Sequence, residues 1–415
     1  MASRATSKVP HQPWGVAGAG TCAPLVAGGA LLLIAWRSRF GPIASQHSPE
    51  AVGDGCDRGA AVHIYDGHVP SSQTPAPAAS DVPVGATQPI HTRAGSTVDA
   101  DGKRPLVMVG DYAWDVMIRT NTALYTGGDT FGEVQLAPGG SAANAAVWAA
   151  RCGLPTTFVG KVGRDRFGSL AEDELRAEHV EAYLIQTEAH LTGSVAVWID
   201  HTGQRSMVSG KGADHALFPQ ELPRPLLATA KHLHLSAWAL FADPPRAAAC
   251  EAARLVREAG GTVSLDPGSF QMIEAMGVDA FLEVSRELGV SALFPNAEEA
   301  AVLSREEGPA AMAERLATLY PGALIALKLD ADGAYVLGTD GTGTAVPPQV
   351  NRLVDATGAG DAFAGAFLSR TLRGVDPRSA ARFAVGVSEW VIQHVGARPV
   401  PDEALRGFLR SGIAD

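Results

Sequence analysis

The stretch "DATGAGDAFAGAFLSRTL", residues 355–372, decides how the chain folds. Gly358 and Gly360 fall in a turn that leads straight into a helix of small and apolar residues. Glycine has no Cβ, so the backbone N–H groups of such a turn stand open, and the helix dipole adds partial positive charge. A turn of this kind holds a phosphate. Asp361, in the first helical turn, is placed to take the proton of an attacking hydroxyl beside that phosphate. The same spacing also describes an N-cap aspartate after a glycine turn, and alone it leaves both readings open.

A second glycine turn enters a helix at "PGGSAAN", residues 138–144. Gly139 and Gly140 allow a ligand close to the backbone, and Asn144 offers a donor and an acceptor to a hydroxyl-rich molecule. The alternative is a plain helix start with small packing residues. Between and beyond these turns the chain alternates. Strand-like runs at Leu106–Gly110, Thr262–Leu265, Ala292–Phe294 and Leu324–Leu329 are separated by helical stretches such as Ser141–Cys152, the helix from Pro244 to Gly260, and Asp376–Val395. That alternation predicts an α/β fold, a doubly wound parallel sheet flanked by helices. The stretches near 116–137 and 191–209, the latter a hairpin around "DHTG", break the pattern and are expected to form a small β-sheet lid.

The chain has 415 residues with 33 Lys and Arg against 44 Asp and Glu. Residues 105–415 alone carry 25 against 37, a net of −12. That field excludes a nucleic-acid surface, so an anionic ligand must be held by local backbone amides, a metal or a few basic side chains. Cys22, Cys56, Cys152 and Cys250 are scattered without a CxxC pair, which excludes a zinc ribbon or a disulfide scaffold and suits a reducing, cytoplasmic setting. His232 and His234 alternate like strand residues, with no further zinc ligands at a sensible spacing. No Walker loop occurs.

Residues 1–104 read differently, and "SSQTPAPAASDVPVGATQP" can bury almost nothing, so a disordered N-terminal extension is expected there. Its first 49 residues contain no acid, and an uncharged run from Gly15 to Trp36 has an apolar centre at Leu25–Trp36. An organelle-targeting peptide, a membrane anchor and an extension without function all remain open. Pro24 and five glycines make a spanning helix, and so a membrane association, the weaker reading.

"PGGSAANAAVWAARCGLPTTFVGKVGRDRFG" (138–168) and "DATGAGDAFAGAFL" (355–368) together resemble, in the right order, the two signatures of the ribokinase-like (PfkB) family of carbohydrate kinases. The resemblance spans about residues 105–412. It implies a ribokinase-like kinase domain at 105–415 and ATP-dependent phosphorylation of a hydroxyl on a sugar-like small molecule. Asp361 is then the catalytic base, and Gly358, Ala359 and Gly360 form the anion hole. Asp115 in "VGDYAWD", with Gly139, Gly140 and Asn144, is expected to bind the acceptor. Asn296 and Glu299 resemble the family's NxxE motif, acting on Mg²⁺ through water, although Asn followed three residues later by Glu is also a capping box. Lys328, Asp330 and Gly333 match the strand-turn beside the nucleotide, with Asp330 where the family often has Gly. Asp355 and Thr357 resemble positions bordering a monovalent-cation (K⁺) site that Gly396 would close, with Ala356 replacing the family's first Thr.

Two departures concern the acceptor. Ser141 stands where ribokinases carry Lys, and Ala113 where they carry Asn, which puts ribose itself in doubt. Nucleoside and sugar-phosphate acceptors remain alternatives, as does an inactive kinase-like binding protein. Arg205, Lys161 and Arg164 could meet a charged substrate, but exposed positions suit them better. Relatives often pair through the lid, so a homodimer through it is one expectation and the oligomeric state stays open.

Overall fold

The computed structural model describes residues 90–92, 98–200, 205–349 and 352–411. The readings of residues 1–89, of the turn at 201–204 and of the Arg205 side chain lie outside the described residues. The strands in chain order are β1 (Ile90–Thr92), β2 (Leu106–Val109), β3 (Ala113–Thr120), β4 (Gly132–Gly139), β5 (Thr156–Gly163), β6 (Glu181–Thr187) and β7 (Gly193–Ile199). They continue with β8 (Arg205–Gly210), β9 (His232–Ser236), β10 (Thr262–Asp266), β11 (Val290–Leu293), β12 (Leu324–Lys328), β13 (Ala334–Leu337) and β14 (Gly343–Val346). Ten form one sheet in the order β1-β6-β5-β2-β9-β10-β11-β12-β13-β14. From β6 to β12 every neighbour is parallel, while β1, β13 and β14 pair antiparallel at the edges.

The central strands are apolar because both faces are covered. In β2, Leu106 and Met108 join one core, shared with the helices Ser141–Arg151 and Ala359–Thr371. Val107 and Val109 join the other, shared with the helix Pro245–Glu258. In β9 the histidines are structural: His232 bonds Thr262 Oγ1 and Ser264 Oγ, each at 2.7 Å, and His234 meets Ser264 Oγ at 2.8 Å. Burial pushes both rings down to about 3, so they stay neutral. Among the described residues there is no group of three or more metal-ligating side chains and no helix long and apolar enough to cross a membrane.

From β2 the chain winds one way to β5 and β6 and the other way through β9 to β12. The reversal between β2 and β9 opens a crevice at their C-terminal ends, where open α/β sheets bind ligands. Over it lies a second sheet, β4-β3-β7-β8, in which β3 and β7 run parallel. Met117, Val197 and Ile199 form its own small core. This lid begins at Ala113 rather than 116 and its second hairpin ends at Gly210 rather than 209.

Residue 105 is too late a start for the folded part. Ile90–Thr92 pairs with β6, Asp99 holds Lys231 in an ion pair, and Arg104 bonds the buried Glu181 at 3.2 Å. Three strand residues are too few for a two-residue period to show in the sequence.

Two helices carry the two glycine turns, and they touch at backbone distance. A Cβ on Gly365 would stand 2.4 Å from the Ala145 carbonyl oxygen and 2.8 Å from the Ala149 nitrogen. The alanines of Ser141–Arg151 allow this approach, which sets Asn144 opposite Asp361.

Candidate active site

A cavity of about 320 Å³ opens at the end of β2. Asp115, Gly140, Ser141, Asn144, Gly358 and Asp361 line its polar side. The lid residues Val195, Val197 and Met207, together with Leu217 and Trp238, make an apolar wall.

Both helix starts are left without a side-chain cap of their own. Gly140, with φ 89°, precedes Ser141–Arg151, and Asp111 supplies the missing acceptor from the β2–β3 corner. Its Oδ2 takes the Ser141 amide at 2.7 Å and its Oδ1 the Ala142 amide at 3.2 Å. Gly358, with φ 73°, precedes Ala359–Thr371, and no side chain caps that helix. Any Cβ at Gly358 would lie 2.5 Å from the Ala397 Cβ, so the position demands glycine on two grounds. The result is a bare helix N-terminus facing the cavity.

Asp361 Oδ2 accepts a 2.8 Å hydrogen bond from Asn144 Nδ2. Burial pushes its carboxyl well above the usual range and Asp266 adds to this, while the Asn144 bond and Lys328 pull the other way. A carboxyl buried, hydrogen-bonded and held above the usual aspartate range has the setting of a proton acceptor. Burial likewise raises Asp115 to about 6 and Asp214 to about 7.

Behind Asp361 lies a charged cluster. Lys328 Nζ bonds Asp266 Oδ2 at 2.6 Å, and a Cβ on Gly360 would meet that ammonium at 3.1 Å. Burial would lower Lys328, but Asp266 and Glu299 outweigh it and hold it charged. Asn296 and Glu299 cap each other reciprocally, at 2.9 and 2.8 Å. Glu299 is buried and pushed up to about 7. Asp330 sits at φ 48°, a left-handed conformation that aspartate tolerates, which explains how it replaces glycine there. Gly333 is fixed by sterics, since a Cβ would lie 2.2 Å from the Val346 carbonyl oxygen.

The sequence profile of the pfkB family carbohydrate kinases matches residues 104–404. The chain belongs to that family. It is a carbohydrate kinase, an ATP-dependent transferase of phosphoryl groups to sugars. It is 30% identical over 308 residues to an ATP-dependent ribose-1-phosphate kinase of Halopiger xanaduensis, covering 73% of this chain and 97% of that protein. Over 247 residues it is 31% identical to a fructokinase of Escherichia coli, covering 56% and 76%. The adenosine kinase of Sinorhizobium meliloti superimposes with a TM-score of 0.64 at 23% identity, covering 74% of this chain and 98% of that one. A putative ribokinase II from E. coli, solved with ATP and Mg²⁺, gives 0.65 at 22%, covering 74% and 99%. These structures share the ribokinase-like α/β fold, with its large sheet and smaller second sheet.

Within the kinase, Asp115, Gly140, Asn144, Thr357, Gly358 and Asp361 meet around one cavity. Gly139 stands behind it: a Cβ there would strike the Asp115 carboxylate at 2.6 Å. Asp355 and Thr357 are tied to each other and to Gly396. Asp355 Oδ1 takes the Thr357 amide and hydroxyl at 3.0 and 2.7 Å, and Oδ2 takes the Gly396 amide at 2.9 Å.

Lys161 corrects the expectation of an exposed side chain. It is buried in β5 and bonds Glu221 at 2.6 Å and the Ala216 carbonyl at 2.7 Å, so it pins the segment after the lid rather than meeting substrate. Arg164 is exposed and pairs with Glu188. Residues that the motifs do not reveal are Asp266, Asp214, Trp238 and, above all, the pair Glu174 and Arg398. The only sequence signal for Asp266 is its place at the end of a buried strand, the ligand edge of the sheet.

Proposed function

We propose that Asp361 is the general base of this kinase and that the acceptor is a sugar-like molecule seated under the lid. The observation that carries the reading is the Asn144–Asp361 bond, which joins the acceptor turn to the bare helix N-terminus in one cavity. The acceptor hydroxyl gives its proton to Asp361 while its oxygen bonds to phosphorus and the bond to the departing ADP breaks. The Gly358, Ala359 and Gly360 amides stabilise charge on the phosphoryl oxygens, with Lys328 beside them. Asp115, Gly140 and Asn144 receive the acceptor hydroxyls, and Gly139 keeps Asp115 in place. The lid excludes water.

Mg²⁺·ATP, when bound, supplies the phosphoryl group and screens its charge. The donor set fits: Asp266, Asn296 and Glu299 present oxygen. Since Asn296 Oδ1 and Glu299 Oε2 already take backbone amides, Asn296 and Glu299 would act through water. Lys328, Asp330 and Gly333 shape the strand-turn on the nucleotide side. The buried carboxyl of Asp355, braced by Thr357, suits a K⁺ site, tested by comparing turnover in K⁺ with turnover in a bulky organic cation. Val134, Leu136 and Val208 are exposed on the lid and suit a homodimer through it.

The apolar wall of Trp238, Leu217 and Met207 favours, as a second reading, an acceptor that carries a planar base. ADP release with hexoses, pentoses, sugar phosphates and nucleosides tests both. One acceptor well above the rest supports the reading and names the class. Measurable ATP binding with no acceptor-dependent ADP release across the panel counts against it.

A further inference from the structure

The Arg398 side chain is 1% exposed and does not line the cavity, yet it reaches three parts of the site. Its Nε donates to Asn144 Oδ1 at 2.7 Å, its Nη1 to Glu174 Oε2 at 2.6 Å, and its Nη2 to the Gly139 carbonyl at 2.9 Å. It lies over the Tyr112 ring at 5.4 Å, and the Tyr112 hydroxyl donates to the same Glu174 oxygen at 3.3 Å. A guanidinium has donors and no acceptor. The atom of Asn144 facing it must therefore be the carbonyl oxygen, which turns the amide nitrogen toward Asp361.

We infer that Arg398 is a positioning residue: by fixing the direction of the Asn144 amide, it holds one oxygen of Asp361 and leaves the other to the acceptor hydroxyl. This rests on the reading of Asp361 as the base. Were Asn144 to flip, its carbonyl would face the carboxylate, the bond would be lost, and the carboxylate would turn away from the hydroxyl. The arginine also holds the carbonyl of Gly139, so one buried cation aligns the acceptor turn and the base together. The charged groups around Asp361 are Asp266, Lys328 and Asp111, and those around Arg398 are Glu174, Glu178 and, on the cavity side, Asp115. None of these donates to Asn144 Oδ1 in place of Arg398.

Arg398→Lys keeps the charge opposite Glu174 but cannot fork to three partners. Measured in the full chain with the best acceptor, it should lower kcat about 10- to 100-fold, the cost of a misplaced reacting group. The KM for ATP should stay within about twofold, as expected for a residue remote from the nucleotide. The acid limb of the pH profile should move upward, because Asp361 loses the bond that favours its ionised form. In kcat at saturating acceptor, Asn144→Ala should add little to Arg398→Lys, since both remove the Asn144–Asp361 bond, whereas the acceptor KM rises further in Asn144→Ala because Asn144 also meets the acceptor. Arg398→Met serves as the second variant, with folding checked by circular dichroism. Effects that multiply in the double variant, or an unmoved acid limb in folded protein, would overturn the inference. Asp361→Asn runs alongside: full turnover there removes the base reading itself, whereas lost turnover there with an unaffected Arg398→Lys removes only the positioning role.

Discussion

Gly365 is the point where the two functional helices touch, and Gly365→Ala perturbs the site without altering any group that meets substrate. The new Cβ would stand 2.4 Å from the Ala145 oxygen, where ordinary contact begins near 3.4 Å, so the helices must part by about 1 Å. The two nearest obstructing atoms, on Ala145 and Ala149, are backbone and cannot rotate away, and the Trp148 Cβ stands at 3.0 Å. An opening of that size carries the 2.8 Å Asn144–Asp361 bond beyond hydrogen-bonding range. A misplacement of about 1 Å costs roughly 10²-fold in rate, and that is the fall in kcat expected. Stability is a closer contest. Alanine gains about 1 kcal/mol of helix propensity over glycine. Overpacking costs about 1–3 kcal/mol, so the net loss is about 0–2 kcal/mol. Acceptor-dependent ADP release and thermal unfolding measure the two effects. Near wild-type turnover with a raised Tm, the behaviour of an ordinary helix glycine, would show that the helices absorb the methyl without parting.

Gly139→Ala should leave the fold stable, because the Asp115 carboxylate it strikes can swing aside, but the acceptor KM should rise about tenfold or more as that carboxylate leaves its place. Steady-state kinetics at saturating ATP check this, and an unchanged acceptor KM would release Asp115 from its binding role. Asp214→Asn carries a pH signature. The folded protein holds the Asp214 proton up to about pH 7, whereas the unfolded chain releases it near 3.8. Wild-type stability from this group is therefore present at low pH and is lost as pH rises through that window. The Tm of Asp214→Asn should gain on wild type steadily from pH 4 to pH 8, and a gap independent of pH would contradict the burial argument.

The residues that could be read in advance share one property: their meaning is local. Asp361 and Asn144 each follow a glycine pair at a helix start, and Asn296 and Glu299 are three residues apart on one helical turn. The alternation of strands and helices announced the doubly covered sheet in the same way. What sequence reading missed is nonlocal. Arg398 follows a glycine and an alanine in an irregular segment, and its partners Asn144 and Glu174 lie 254 and 224 residues away. Lys161 looked exposed because it is charged. It proved buried because Glu221, 60 residues on, neutralises it inside the fold. Asp330 looked like a departure until its φ showed that the turn asks for a left-handed residue rather than for glycine itself.

The proposed role of Asp361 is to accept the proton of the acceptor hydroxyl. The direct measurement compares the pH profile of kcat/KM for the wild-type chain with the single-turnover rate of Asp361→Asn, on the acceptor that gives the greatest ADP release. The wild-type acid limb should lie above the ordinary aspartate range, because burial and Asp266 raise that carboxyl. Asp361→Asn should lose about 10³-fold or more in rate with ATP affinity unchanged, as general-base loss requires. Turnover by Asp361→Asn close to wild type would contradict that role.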